Sequence, residues 1–217
     1  MAACRVLTRL GLVAGFGHVS ARLPNGNLVI TPRKALGLVQ VEELVQLAPD
    51  GTPVSSGRPP LEAAMHVAVY QRRPDVQAIC RTHSKFVNAF GLAGRPIEVV
   101  HGFGCELRGR VDIYPDALLV SDARRGQAVA EQLGSAHALV LRGNGCLVVG
   151  ESVGESCVKA IFLEESAELQ YLAQLLGPVS PLDPAVVAER LQSDLPHEPI
   201  RAWEFYRARY GGREPLS

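Results

Sequence analysis

Glu62 and His66 stand four residues apart in Pro60-Leu61-Glu62-Ala63-Ala64-Met65-His66, so on a helix they share one face. A carboxylate that opens a helix beside a cleft can be tuned by desolvation or by a nearby cation, and can then serve as a general base. On a solvated surface the same residue would only be favoured by the helix dipole. Farther on, Ala78-Ile79-Cys80-Arg81-Thr82-His83-Ser84 carries an apolar strand to Arg81 and His83, alternate residues that leave a strand on the same side. Glu62, His66 and His83 are the donor types of a two-His-one-carboxylate metal site; His66 by itself reads more readily as a buried imidazole bonded to backbone. Arg81 cannot be a ligand, because arginine stays protonated and has no free lone pair. It is suited instead to a bidentate grip on a carboxylate. Arg33-Lys34 is a second anion-binding candidate, or else a basic turn.

These groups need a scaffold, and apolar periodicity with turn signals outlines one. Helices are expected over Ala2 to Val13, Leu61 to Arg72, Ser84 to about Phe90, Asp122 to Leu133 and Ser152 to about Leu176. Strands are expected over His18–Leu23, Leu28–Thr31, Glu43–Ala48, Val76–Arg81, Ala138–Leu141 and Cys146–Val149. Gly91–Pro115 reads as loops around short strands, and the tail from Asp183 as one or two helices broken by Pro196 and Pro199. Trp203, Phe205, Tyr206 and Tyr210 make that tail aromatic, suited to docking on the body or on a neighbour. The pattern predicts one α/β domain over 1–217, with helices covering a mixed, largely antiparallel sheet.

Bulk composition narrows the partners. The 217 residues are 47% hydrophobic and 20% charged, enough for a packed core. Twenty-two basic and 22 acidic residues cancel, which leaves no footprint for nucleic acid or an anionic membrane. No apolar run is long enough to span a bilayer, and no secretory leader is recognisable. Cys4, Cys80, Cys105, Cys146 and Cys157 have neither zinc-finger nor redox spacing, so the expectation is a reduced, cytoplasmic protein.

Taken with Gly17-His18-Val19-Ser20-Ala21-Arg22 and Leu141-Arg142-Gly143-Asn144-Gly145, the chain resembles the class II aldolase/adducin family from about Cys4 to about Tyr210. The resemblance implies a three-layer α/β/α sandwich, a divalent metal (Zn, Mn or Fe) and a homotetramer with sites at subunit boundaries. It makes Glu62 the general base beside the metal. Arg81 and His83 fill the family's zinc-binding His-x-His, and Asn144 stands where a third histidine would be, although Gly-Asn-Gly is also what a tight hairpin demands. Tyr114 lies where the family places a proton donor that enters the neighbouring subunit's site, or else it is packing. With two of three histidines replaced, either His83 and Glu62 recruit a substitute such as His66 or His101, or the site works without metal.

The phosphate cradle of the sugar-phosphate aldolases is also changed, to Gly17-His18-Val19-Ser20, Thr31-Pro32-Arg33-Lys34 and Pro60-Leu61-Glu62. Proline has no N–H to offer a phosphate. The motif combination is closest to the family's aromatic-acid decarboxylase branch. It implies a lyase that removes CO2 from a non-phosphorylated, hydroxylated aromatic or heteroaromatic acid. Arg81, Arg33 and His18 would bind the substrate, Asn144 would orient a ring substituent, and Glu62 and Tyr114 would move protons. A non-haem iron oxygenase or an aldolase on the same fold is the enzymatic rival, and a non-catalytic, adducin-like binding or scaffold protein is the other.

Overall fold

The computed structural model describes residues 1–193 and 198–212. Along the chain run α1 (Ala2–Arg9), β1 (His18–Arg22), β2 (Leu28–Ile30), β3 (Val45–Leu47), α2 (Ala63–Arg72), β4 (Ala78–Thr82), α3 (Lys85–Ala93), β5 (Ile113–Tyr114), α4 (Ala123–Leu133), β6 (Ala138–Leu141), β7 (Cys146–Gly150), α5 (Val153–Leu176), α6 (Pro184–Gln192) and α7 (Glu198–Tyr210). The strands form one seven-stranded sheet in the order β3-β2-β1-β4-β7-β6-β5. Only β5–β6 is parallel, so the sheet is mixed and largely antiparallel, as expected.

Alternation along the strands separates two cores. Val19, Cys80, Val140 and Val148 face one way, into a cluster with α1, α3 and α5. Ile79, Leu139, Leu147 and Val149 face the other way, against α2 and α4. The result is the three-layer α/β/α sandwich. In the second layer α4 approaches α2 at Gly126, where a Cβ would stand 2.6 Å from the Ala64 carbonyl oxygen. That contact fixes the start of α2, the end that carries Glu62.

Local chemistry explains where the elements differ from the sequence expectation. Helix α1 ends at Arg9, not Val13, because Gly11 adopts a left-handed φ of 73° and turns the chain away. Leu12 and Val13 are still buried, so the apolar pattern outlasts the helix. Ser84 is the N-cap of α3, but its hydroxyl makes no capping bond; the Glu164 carboxylate accepts from Phe86 N and Val87 N instead (2.9 and 3.0 Å). Gly91–Pro115 holds the end of α3, a 3-10 turn at Phe103–Leu107 and the short β5. Pro199 does not break the last helix. It sits in the first turn of α7, where a missing N–H does no harm. The break expected at Pro196 lies outside the described residues. Trp203, Tyr206 and Tyr210 of α7 dock on the first core cluster, so most of the aromatic tail packs on its own chain. Among the described residues no helix is long and apolar enough to cross a membrane, and all five cysteines are free and buried.

Lys159 of α5 is 1% exposed. It pairs with Glu155 and donates to His137 Nδ1 at 2.8 Å. Burial first, and the Lys159 charge next, push the His137 imidazole down to about 4. In the unfolded chain it titrates near 6.5, so between these values the unfolded state takes up a proton that the folded state refuses. Stability from this group is therefore complete above about pH 6.5 and is lost as pH falls toward 4. The urea midpoint of the wild type should drop between pH 7.5 and 5 by more than that of His137→Gln, which keeps an acceptor without titrating. Equal drops would show that acid sensitivity arises elsewhere.

Candidate active site

Antiparallel register sets His18 directly opposite Arg81, on neighbouring strands β1 and β4. On the other side of β4, Thr82 pairs with Cys146 of β7, which brings the Gly143-Asn144-Gly145 hairpin to the same sheet end. Gly145 has a φ of 74°, and any Cβ there would run into the Thr82 backbone. Its N–H donates to Asn88 Oδ1 at 2.7 Å. Only glycine allows the hairpin to press this closely, and the press carries Asn144 over the start of α2.

Glu62, at the N-cap position of α2, meets these groups. Its Oε1 accepts from Arg81 Nη2 at 3.2 Å and from Asn144 Nδ2 at 3.0 Å. Its Oε2 lies 3.1 Å from the same Arg81 nitrogen and 4.0 Å from His18 Nε2. Glu62 is 6% exposed and Arg81 0%. On its far side the Arg81 guanidinium meets Nε2 of His83. Burial and then the Arg81 charge push His83 down to about 4 and His66 to about 3. Burial, followed by His66, Arg81 and His83, holds His18 well below the usual imidazole range. At neutral pH three uncharged imidazoles thus surround one buried guanidinium–carboxylate pair.

Glu62 and His18 also line a cavity of about 390 Å³. The Gly15–Gly17 loop, the Pro32–Ala35 turn, Pro60, Leu61 and Leu119 complete its walls. Arg33 is exposed at its mouth, and among the described residues nothing pairs with its side chain. Lys34 beside it is taken up by Glu43 at 2.7 Å.

Of the residues expected from sequence, Glu62, Arg81, His83, His18 and Asn144 converge, and Arg33 faces the same cavity. Arg81 is nevertheless beneath Glu62, not open to the cavity. A direct grip on a substrate carboxylate would require Glu62 or His83 to give way. Glu62, His66 and His83 are not gathered as three ligands. His66 Nδ1 is bonded to Ser20 Oγ at 2.8 Å, and Ser20 Oγ in turn to the Tyr70 hydroxyl at 2.9 Å. His101 bonds to Ser166 of α5, in the other layer. Among the described residues no three His, Cys, Asp or Glu side chains converge on a metal position. A divalent cation does not fit at the cavity floor, because both Glu62 oxygens are already turned to the buried Arg81 guanidinium, whose fixed charge opposes a second cation there. Tyr114 is 8% exposed and packs in the second core cluster of its own chain, paired with Leu141 of β6.

The Ser20–His66–Tyr70 chain is absent from the sequence reading. Glu62, His66 and Tyr70 recur every fourth residue, which puts them on one helix face and was the available signal. Ser20 could be found only from the strand register.

The model of the "Class II Aldolase and Adducin N-terminal domain" matches residues 1–171. A 3,4-dihydroxyphthalate decarboxylase of Terrabacter sp. is 30% identical over 92% of this chain and 85% of its own length. A 3-oxo-tetronate 4-phosphate decarboxylase of Escherichia coli is 31% identical over 72% of this chain and 76% of its own. Among solved structures, an L-fuculose 1-phosphate aldolase from Glaciozyma antarctica superposes with a TM-score of 0.77 at 26% identity, covering 97% of this chain and 84% of that one. On these grounds the chain belongs to the class II aldolase and adducin family, and it is an enzyme of the lyase kind.

Proposed function

We propose that the protein decarboxylates a non-phosphorylated, hydroxylated aromatic or heteroaromatic carboxylic acid. The observation that carries this is the Glu62 carboxylate on the floor of a cavity whose mouth holds an unpaired cation, Arg33. Phe16, Leu61 and Leu119 line the cavity with exposed apolar surface, Phe16 at 77%, which suits a flat ring. Pro32 and Pro60, also in the wall, offer no N–H to a phosphate. The decarboxylase relative whose printed substrate is a dihydroxylated phthalate supports the same class.

Arg33 binds the acid through one carboxylate, with His18 beside it as a neutral hydrogen-bonding group. Glu62 accepts the proton of a ring hydroxyl, and the electron pair released raises density at the ring carbon that bears the leaving carboxylate. The same proton then passes from Glu62 to that carbon. The carbon–carbon bond breaks, its electrons restore the aromatic ring, and CO2 departs. The phenolate left behind is protonated from solvent on release, so protons and charge balance. Asn144, fixed to Glu62 by its amide, orients the hydroxyl. Family membership and the row of exposed leucines Leu169, Leu172, Leu175 and Leu176 late in α5 support a homotetramer. The free, buried thiols support a cytoplasmic setting.

With dihydroxylated benzene- and pyridine-carboxylates as substrates, CO2 release should proceed at the same rate with and without oxygen; a requirement for oxygen would favour the oxygenase. Glu62→Gln should lower turnover by a factor of about 100 or more. It should also lower the melting temperature, because Arg81 loses its counter-charge. An unchanged rate in the folded variant would remove Glu62 from the chemistry. Arg33→Ala should raise KM by a factor of about 10 or more with little change in kcat, since a charge-assisted contact made equally in ground and transition states is lost. Unchanged KM would move the carboxylate contact elsewhere. Sedimentation at micromolar concentration should give four chains per particle, and a monomer would refute the assembly.

A further inference from the structure

We infer that Arg81 is a built-in cation occupying the place of a divalent metal, so that this site works with a fixed guanidinium and without a bound ion. Three observations carry it. Arg81 Nη2 lies 3.2 and 3.1 Å from the two oxygens of Glu62, while Nη1 meets Nε2 of His83. The carboxylate and the imidazole best placed to ligate an ion are therefore both spent on one buried cation. The remaining imidazoles do not complete a ligand set: His66 is bonded through Nδ1 to Ser20, His18 Nε2 sits 4.0 Å from Glu62, and among the described residues no three His, Cys, Asp or Glu side chains converge on one point.

The arrangement is also a poor device for stability. A buried ion pair can be exchanged for apolar side chains of similar volume with little or no loss. Here the surroundings leave Arg81 Nε, His18 Nδ1 and His66 Nε2 buried without partners among the described residues. Unsatisfied polar atoms gathered around a charge at a cavity floor mark a place kept for function. Arginine has the right properties for the post. It remains charged, it is planar, and it cannot exchange with solvent as an ion does. Arg81 touches no substrate, so it is a positioning residue: it holds Glu62 and keeps a positive charge under the ring as negative charge develops there. This role rests on the lyase proposal, but the exclusion of metal does not.

The test is calorimetric titration of zinc into the chelator-stripped full chain. Wild type and Arg81→Lys should show no zinc site that His83→Ala abolishes. Arg81→His should bind one zinc per chain at least about 100-fold more tightly than wild type, since a like charge is removed and a ligand gained. Adding His83→Ala to Arg81→His should abolish that binding. Wild type that binds one zinc per chain with Kd below about 1 μM, and loses it in His83→Ala, overturns the inference. So does a folded Arg81→His that gains no zinc. Should Arg81→His not fold, the wild-type and His83→Ala titrations decide alone. Turnover of wild type in the presence of a chelator separates the two proposals. Chelator-sensitive CO2 release would overturn the built-in cation and leave the lyase standing. Absence of CO2 release would overturn the lyase while the zinc titration still reads the cation.

Discussion

The Arg81–Glu62 pair ties the middle strand of the sheet to the helix that covers it, and most of the local structure is arranged around it. A guanidinium with no solvent exposure must have its charge met inside the protein. Glu62 does so at 3.1 Å, and it can because Gly126 lets α4 hold the start of α2 against the sheet. Removing one partner of such a pair costs about 3–5 kcal/mol, a large share of the stability of an ordinary domain. The pair is thus at once a structural obligation and the base of the cavity. Changes at either residue read out in folding as well as in chemistry.

The same charge explains the imidazoles. His18, His66 and His83 are each pushed down by burial, and each is pushed further by Arg81. With a neutral ring, His83 can accept from the guanidinium, and His66 can share a proton with Ser20 through Nδ1. Three charged imidazoles here would repel Arg81 and compete for Glu62. Neutral ones leave the pair undisturbed, and His83 meets the guanidinium directly. The electrostatics therefore reduce to one cation and one carboxylate on the floor, with a second cation, Arg33, at the mouth.

How legible this was in the sequence depended on whether a feature is set locally. Helix and strand positions followed largely from periodicity, and Asp122, an acidic residue at the expected start of α4, does cap that helix through its side chain. The Gly-Asn-Gly turn and the Arg-Thr-His strand end were equally readable, because spacing alone puts them on a hairpin and at a sheet rim. What failed to show was anything decided by register or depth. Nothing local reveals that Arg81 lies under Glu62 and not open to the cavity, since that depends on β1, β4 and β7 packing side by side. Glu164 capping α3 from 78 residues away is another such case, and no propensity could have anticipated it. Tyr114, expected from the family resemblance to serve a neighbouring subunit's site, has its ring in the second core cluster of its own chain, a placement that only the packing of β5 reveals.

A shared fold is inherited more firmly than the chemistry it holds. Here the sheet, the hairpin and the helix start bring Arg81, His83 and Asn144 together around Glu62. Two of the three do not offer a good metal-binding atom: arginine has no free lone pair, and an amide oxygen is a weak partner for zinc. The arginine also sets a fixed charge against any ion held by the others. The amide fits this site, because Asn144 donates through Nδ2 to the carboxylate that Arg81 pairs with, whereas another imidazole would add one more group to keep neutral. Arg81 and Asn144 are thus coupled through Glu62, which accepts from both.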